Sequence, residues 1–584
     1  MSELIVGIDL GTTNSELAVL RDDGVEVLPI HGSPIMPSCV GLDAEDRLIV
    51  GQAARNQLIA APDRTIVSIK RRMGEDTKVL LGTREHTPEE ISSFILRELK
   101  REGERQLGQP IRKAVITVPA FFNERQRRAT QVAGDLAGLE VLRIVHEPTA
   151  AALAYGAGVT DGERLLVYDL GGGTFDVSVV VAEAGVVEVK SSHGDTRLGG
   201  DDFDQILVDY ATGRFEERHG VDLRQNPSAQ RRLRVVMERA KRVLSDEPFV
   251  MIREEYLDGT HHLEMELLRN EYERLIEPLL EKTLACLHRA LNDAKLGPKD
   301  IQKVMMVGGA TRTPLIRRLL ESRFGLDPRV EINPDLIVAM GAAIQAGVIA
   351  GHRRHSILVD ITPHTYSTAA LSDRGIREER ICVPIIPRNT PLPASKSELM
   401  YTVMDDQPSV NVEAYQGEGE YPGDNTLVGE FRIEGLSAVP AGNPILVHFD
   451  LDLNGILKVT ATEKDTGLAR SVALDTRGQH HVDVEEARRN IAALVGTTAE
   501  SGGGMDIPAG GQNSQGAASR ELLATAKDLR KRSEALLEKG VAAEDATEIR
   551  ELVHQSAHAI TEGNWEALRT HNDALSDVLF YLED

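Results

Sequence analysis

The sequence predicts a multidomain chain: an internally duplicated α/β unit, then an all-β domain, then a small α-helical tail. Three observations carry this. A pattern of strand, acid, glycine turn and returning strand at Val6 to Leu20 recurs at Leu165 to Val181. From Thr365 to Thr476 apolar and polar residues alternate between turn signals, with hardly any helical period. From Val482 the helical period returns, and at 584 residues the chain is too long for a single core.

The first pattern, VGIDLGTTNS over Val6 to Ser15, reads as a phosphate-gripping hairpin. Backbone N–H groups in such a turn converge into an anion nest, Gly11 leaves room for close approach, and Thr12 and Thr13 add hydroxyl donors. Asp9 at the strand end is placed to hold a divalent cation. No Gly-Lys-Ser/Thr opens a helix here, so this is not a Walker loop. Taken alone, Gly-Thr-Thr-Asn also fits an ordinary hairpin turn. The echo, LLVYDLGGGTFDVSVVV with Asp169 at its strand end, predicts two such hairpins facing one set of phosphates held between the halves.

A net charge of −25 argues against a primary nucleic-acid or anionic-membrane role, with local runs such as Lys70-Arg71-Arg72 as exceptions. Cys39, Cys286 and Cys382 are odd in number and far apart, without metal-ligand spacing, which fits a reducing compartment and three small apolar side chains. The N-terminus enters a strand at once and no apolar run approaches the roughly 18 residues of a membrane span. A cytoplasmic location is expected.

Along the chain, Ser33 to Ser38 reads as a loop, Leu48 to Gly51 as a strand and Gln52 to Ala60 as a helix. In TIVSIKRRMG, Lys70 is placed to meet a transferring phosphoryl group, although a solvated basic helix face fits as well. An amphipathic helix spans Glu89 to Leu107, Ala114 to Pro119 is a buried strand, and a helix starts near Asn123 with Arg127 on one face. After the strand Val141 to Val145, Glu147 could orient water or metal, or simply be an acid favoured at a helix start. Gly194 to Asp204 is a third turn-rich loop. The helix Gln230 to Leu244 sets Glu238, Lys241, Arg242 and Ser245 on one face, a pattern that suits an adenosine clasp or a solvated stripe. KVMMVGGATRTP is a strand, a Gly308-Gly309 turn and a helix with Pro314 in its first turn. His352 to Arg354 form a basic hinge before SILVDITP, and Asn454-Gly455 marks a hairpin in the all-β region. Ser501 to Ser519 reads as flexible linker, with helices after it stopping near Gly540 and Gly563 and Trp565 in their core.

With DLGTTNS, HEPTAAALAYG, DLGGGTFD, GDTRLGGDDFD, VGGATRTP and INPD in that order, the sequence resembles the seventy-kilodalton heat-shock chaperones of the DnaK type, and within them the bacterial HscC branch. The resemblance implies an actin-like ATPase domain over 1–352, a linker over 353–363, a β-sandwich substrate-binding domain over 364–481, and a lid-like helical region over 482–584 with a Gly-rich linker at 500–519. It implies ATP and ADP as ligands, with Mg2+ and with K+ as a further cation. By motif, Gly11, Thr12, Thr13, Asn14, Gly172, Gly173 and Thr174 match phosphate contacts. Asp9, Asp169 and Asp176 match carboxylates that set the magnesium mainly through water; Lys70, Glu147, Asp169 and Thr174 match the catalytic group. Glu238, Lys241, Arg242, Ser245, Gly308, Gly309, Ala310, Arg312 and Asp335 match the adenosine site. The implied mechanism is slow hydrolysis by positioning and charge neutralisation, with water as nucleophile.

For the β-domain the resemblance implies an extended apolar peptide as client, gripped by main-chain hydrogen bonds and a pocket of Met400, Val403, Val410, Val412 and Ile456 under Leu371. Thr368 stands where an aliphatic residue is usual, and extra residues precede Arg388. Ile357, Leu358 and Val359 form an apolar linker expected to dock on the ATPase domain in one nucleotide state, with Asp360, Arg127 and Arg143 at the junction. A J-domain partner is implied there, with His146 in place of the usual Asn. A small-molecule kinase on the same fold, or a holdase or exchange partner of another chaperone with weak coupling, are the rival readings. The loop through Tyr256 to His262 is short, which makes a GrpE-type exchange factor doubtful, and the linker in the tail predicts a loose lid.

Overall fold

The computed structural model describes residues 4–500 apart from 23, 156–161, 184, 330–332, 353–356, 373–378, 465, 467–468 and 474–483, with isolated positions 533, 552, 553 and 555 beyond. Contacts divide the chain into two compact units, Met1–Glu500 and Ser501–Asp584, and every element below belongs to the first. The expected tail linker at 501–519, the stops at Gly540 and Gly563, and Trp565 lie outside the described residues.

The duplication is visible as two sheets with one wiring. In the first, Ile5–Leu10 runs antiparallel to Asn14–Arg21 and parallel to Lys113–Val118, which is flanked in turn by Glu140–His146. In the second, Glu163–Leu170 runs antiparallel to Phe175–Glu183 and parallel to Lys303–Val307. Each hairpin therefore sits beside a parallel strand whose carboxyl end opens on the same crevice. The hairpin strands read as near-continuous apolar runs because helices cover both faces. Val6, Ile8 and Leu17 in the first sheet, and Leu166, Val167 and Val177 in the second, have no exposed surface.

Two helices lie between the sheets, Glu147–Tyr155 and Ile337–Ile349. Their small side chains permit close approach: Ala150, Ala151, Ala342 and Ile344 share one core with Val115 and Leu165. Gly341 is the tightest point, since a Cβ there would overlap the Ala150 backbone. In an open helix Gly→Ala gains roughly 1 kcal/mol of propensity. Here rigid backbone is the obstacle, so Gly341→Ala is expected to destabilise by about 1–3 kcal/mol, read as a lowered thermal midpoint of the duplicated α/β region. A midpoint unchanged or raised would refute the packing.

The expected helix over Gln52 to Ala60 is only Gln52–Asn56. The side chain of Gln57 is drawn off to the Leu42 carbonyl and the Thr65 hydroxyl, each at 3.0 Å, and the backbone turns before Pro62. Lys70 lies in a 3₁₀ turn, Ile69–Arg72, rather than on an exposed helix. Of the cysteines, Cys39 is buried and the other two are half-buried, all free.

Residues 366–473 form two four-stranded antiparallel sheets. One runs Glu379–Ile386, Tyr366–Ser372, Ser409–Gln416, Thr426–Glu434, the other Ala394–Tyr401, Pro444–Leu451, Leu457–Glu463, Ala469–Ala473. They share a core of Ile386, Val412, Phe431, Val447, Phe449 and Leu457. The Asn454-Gly455 hairpin is present, with Gly455 at φ 74°. The helix Val484–Glu500 buries Ala487, Ile491 and Leu494 in the core of the first α/β half, where Asn490 also donates to Glu90 at 3.1 Å.

Candidate functional site

Both glycine turns line one cavity of about 690 Å³ between the halves. Gly11, Thr12, Thr13 and Asn14 form one wall and Gly171, Gly172 and Thr174 another. The turns are cradles without room for more atoms: a Cβ on Gly11 would overlap the Asn14 carbonyl, and one on Gly172 the Thr13 hydroxyl. Gly173 is not on the cavity wall. It sits behind the turn, where Arg71 and Thr12 crowd it.

At the closed end, Asp9 terminates the first strand and accepts a hydrogen bond from Thr117 Oγ1 at 2.8 Å. Lys70 is only 3 % exposed, which removes the solvated-face alternative. Its Nζ makes a buried ion pair with Glu147 and lies 5.7 Å from the centre of the Phe122 ring. Glu147 does begin a helix, and its carboxylate is turned to Lys70 rather than left to the dipole alone.

The remaining carboxylates are short of positive charge. Burial, then repulsion from Glu147, pushes Asp9 up to about 7. Burial and then Glu147 likewise raise Asp169 and Asp176 well above the carboxylate range. Such a set fits a cation, whose charge would restore the ionised forms. Among the described residues no three Asp, Glu, His or Cys side chains close round one point as direct metal ligands. Asp176 is displaced from the expected set: its oxygens accept the N–H groups of Ala120 and Phe121 at 3.1 and 3.2 Å, and it stands behind the wall.

Toward the open end, Glu238, Lys241, Arg242 and Ser245 line the same cavity, with Gly308, Gly309, Ala310, Arg312 and Asp335 opposite. Lys241 bridges the Gly200 carbonyl and Asp204 at 2.9 and 2.8 Å, and Arg312 pairs with Asp335 at 2.6 Å. Glu238 is held by Arg242 and by Arg55 from the first half, both at 2.6 Å.

Sequence reasoning missed Arg55 and Glu16. Glu16 lies directly across the hairpin from Asp9, is buried and lines the cavity. An acid inside the apolar strand ELAVL, in register with Asp9, was the available signal.

At the second candidate site the structure separates residues that the sequence grouped. Met400 pairs with Ile445 at one end of its sheet, whereas Ala394 and Leu451 pair at the other. Ile456 belongs to that other end, about 20 Å away at the strand rise, so it cannot share a pocket with Met400. Ile445 is the missed neighbour. Val403 and Leu371 are 57 % and 45 % exposed, and Met400 and Val410 pack partly on the core that Val412 enters. Thr368 is buried with its hydroxyl donated to the Glu413 carbonyl at 2.8 Å. Part of the extra segment, 373–378, lies outside the described residues.

The linker residues Ile357–Val359 add a parallel strand to Val186–Asp195. They are not equally buried as expected: Ile357 is 65 % exposed, while Leu358 packs on the core. Asp360 accepts from His146 Nδ1 at 2.9 Å and from Thr149 at 3.3 Å, with Arg127 and Arg143 nearby. Arg127 donates to the carbonyls of Phe122 and Ala120, each at 3.0 Å, and His364 to that of Phe121 at 3.1 Å. The β region touches the first α/β half again where Asn454 accepts from the Ile144 N–H at 3.0 Å.

The family model described as Hsp70 protein matches residues 5–81 and 75–581. The chain is 46 % identical over 504 residues to the chaperone protein DnaK of Thermotoga neapolitana, covering 84 % of this chain and 83 % of the relative. The same identity and coverage hold for DnaK of Thermotoga petrophila. DnaK of Thermosipho africanus is 45 % identical over 501 residues, 84 % of this chain and 82 % of that one.

Proposed function

The chain belongs to the Hsp70 family, and on that premise we propose that it is an ATP-dependent chaperone that grips extended apolar segments of unfolded clients and times their release by slow ATP hydrolysis. The observation that supports this most is the buried Lys70–Glu147 pair set between two phosphate cradles, in the same compact unit as a linker strand paired to the second half. A bound Mg2+ would supply charge neutralisation on the phosphates, and Asp9 and Asp169 would hold its waters, with Asp176 behind the wall on the Ala120 and Phe121 N–H groups. Lys70 meets the charge that develops on the transferring phosphoryl group, Glu147 orients the attacking water, and the Thr13 and Thr174 hydroxyls fix the phosphate oxygens. The adenosine clasp binds the base and ribose from both halves, so a bound nucleotide favours their closure.

On this reading residues 1–352 are the actin-like ATPase domain, 353–363 the linker, 364–481 a β-sandwich that holds the peptide near Met400, Val403 and Ile445, and 482–584 the lid-like region. The segment Ala120–Phe122 supports coupling between the two sites, since Asp176 takes its N–H groups while Arg127 and His364 take its carbonyls. A J-domain co-chaperone acts at that junction, with His146 selecting which one fits. The turn at Tyr256 is held by Arg232, at 3.2 Å from its carbonyl. Its shortness supports ADP release without a GrpE-type factor, and a short first domain supports the HscC-like placement. No described helix is long and apolar enough to cross a membrane, and a cytoplasmic setting is part of the proposal.

The test is steady-state ATP turnover of the full chain with and without an unfolded apolar peptide. Turnover that rises with peptide is expected. ATP hydrolysis indifferent to peptide would overturn the coupling, and hydrolysis accelerated by a small hydroxylated substrate would favour the kinase reading.

A further inference from the structure

Ser68 adopts left-handed backbone, φ 54° and ψ 28°, directly before the 3₁₀ turn that carries Lys70. A residue with a Cβ enters this region at an energetic cost, and it stays there only when its surroundings hold it. The hydroxyl of Ser68 caps nothing in its own turn. It donates instead across the cleft, to Asp201 Oδ2 at 2.6 Å.

Asp201 belongs to the second half, in the first turn of the helix Gly200–His219, and lines the cavity. Its own N–H donates to the Gly172 carbonyl at 2.7 Å. Two hydrogen bonds therefore join the Lys70 turn of one half to the phosphate cradle of the other. Arg71 runs beside them, pairing with Asp202 at 3.0 Å and donating to the Arg197 carbonyl at 3.1 Å. A hydroxyl given to a carboxylate is a strong, directional bond, and this one spans from one half to the other.

We propose that Ser68 is a positioning residue for ATP hydrolysis: it ties the Lys70 turn to Asp201 and so aligns Lys70 with the phosphates only in the closed cleft. The inference rests on Lys70 as the charge that serves hydrolysis. Binding should be spared, because the cradles and the adenosine clasp do not depend on this bond.

Single-turnover hydrolysis and ATP affinity are measured on the full chain for wild type, Ser68→Ala, Ser68→Gly and Ser68→Asn. Loss of the hydroxyl in Ser68→Ala should slow hydrolysis by about 10- to 100-fold, with affinity and thermal midpoint unchanged. Ser68→Gly relieves the backbone and still lacks the donor, so it should be as slow, and it serves if the alanine variant folds poorly. Asn tolerates left-handed backbone and offers an amide donor, so Ser68→Asn should recover most of the rate. Combined with Asp201→Ala, the serine change should add little further loss. Wild-type rates in both donorless variants would overturn the proposal, as would parallel losses of rate and affinity without rescue by Asn. A wild-type protein that does not hydrolyse ATP would overturn the ATPase reading itself.

Discussion

Replacing Lys70 by Ala is expected to lower ATP turnover by about a hundredfold or more, the usual effect of removing one preorganised charge from a reacting centre, while ATP still binds. The two effects separate because of where Lys70 stands. Its ammonium is buried at the closed end, paired with Glu147, in a pocket that also holds Asp9 and Asp169. Binding rests on the two cradles and on the clasp of Glu238, Lys241, Arg242 and Ser245, none of which touches Lys70 through a hydrogen bond or ion pair that defines it. The variant leaves Glu147 buried without its partner, a change that destabilises unless the carboxyl takes up a proton. Lys70→Met, which keeps most of the volume, guards against a loss caused by misfolding. Turnover is followed by phosphate release and binding by fluorescence of a labelled nucleotide. Wild-type turnover in either variant would sink the assignment, and so would loss of binding in a variant whose thermal midpoint is unchanged.

The ATPase half was legible in the sequence because its function is written in backbone turns. Gly-rich turns at strand ends are local signals, and their repetition is visible without any contact information. The wiring of the two sheets followed from that repetition. Lys70 and Glu147 were each ambiguous alone, since a lysine in KRR and an acid at a helix start have ordinary explanations; their burial against each other excludes only the solvated face for Lys70. What the sequence could not reveal are bonds between distant segments. Arg55 to Glu238 spans 183 residues and Ser68 to Asp201 spans 133. Ile456 was misplaced for a related reason. It lies one residue past a well-marked hairpin turn, yet its distance from Met400 is set by the register of Ala394–Tyr401 on Pro444–Leu451, which no local pattern encodes. In the linker, three aliphatic residues in a row read as one buried group, but a strand at a sheet edge shows alternate faces, so Ile357 points outward.

Acidification from pH 7.5 to 5 is expected to release the β region from the ATPase half, because the junction is built on buried neutral histidines. His364 lies against the Phe121 carbonyl, with Arg127, Glu418 and His146 around it, and burial pushes it down to about 4. His146 faces Asp360 and is flanked by Arg127 and Arg143; burial lowers it despite the carboxylate. His193 pairs with Asp293 beside Arg388 and Arg289, and burial lowers it too. Released into water, a histidine titrates near 6.5. The docked state therefore binds fewer protons than the released one, so docking is at full strength above about 6.5 and weakens as pH falls from there toward 4. At pH 5 the His364 shift alone should weaken docking by about 30-fold, and the other two histidines act in the same direction. Asp360 is lowered in the docked state, burial being outweighed by His146 and the neighbouring donors, and so holds its charge throughout this window. Energy transfer between dyes on the ATPase half and the β region, in ATP-loaded Lys70→Ala protein, reads docking without interference from hydrolysis. His364→Leu, an apolar side chain of similar size, should keep the regions together at pH 5 better than the parent does. Equal transfer at pH 7.5 and 5 in the parent, or a His364→Leu variant that separates just as readily, would show that these histidines do not hold the junction.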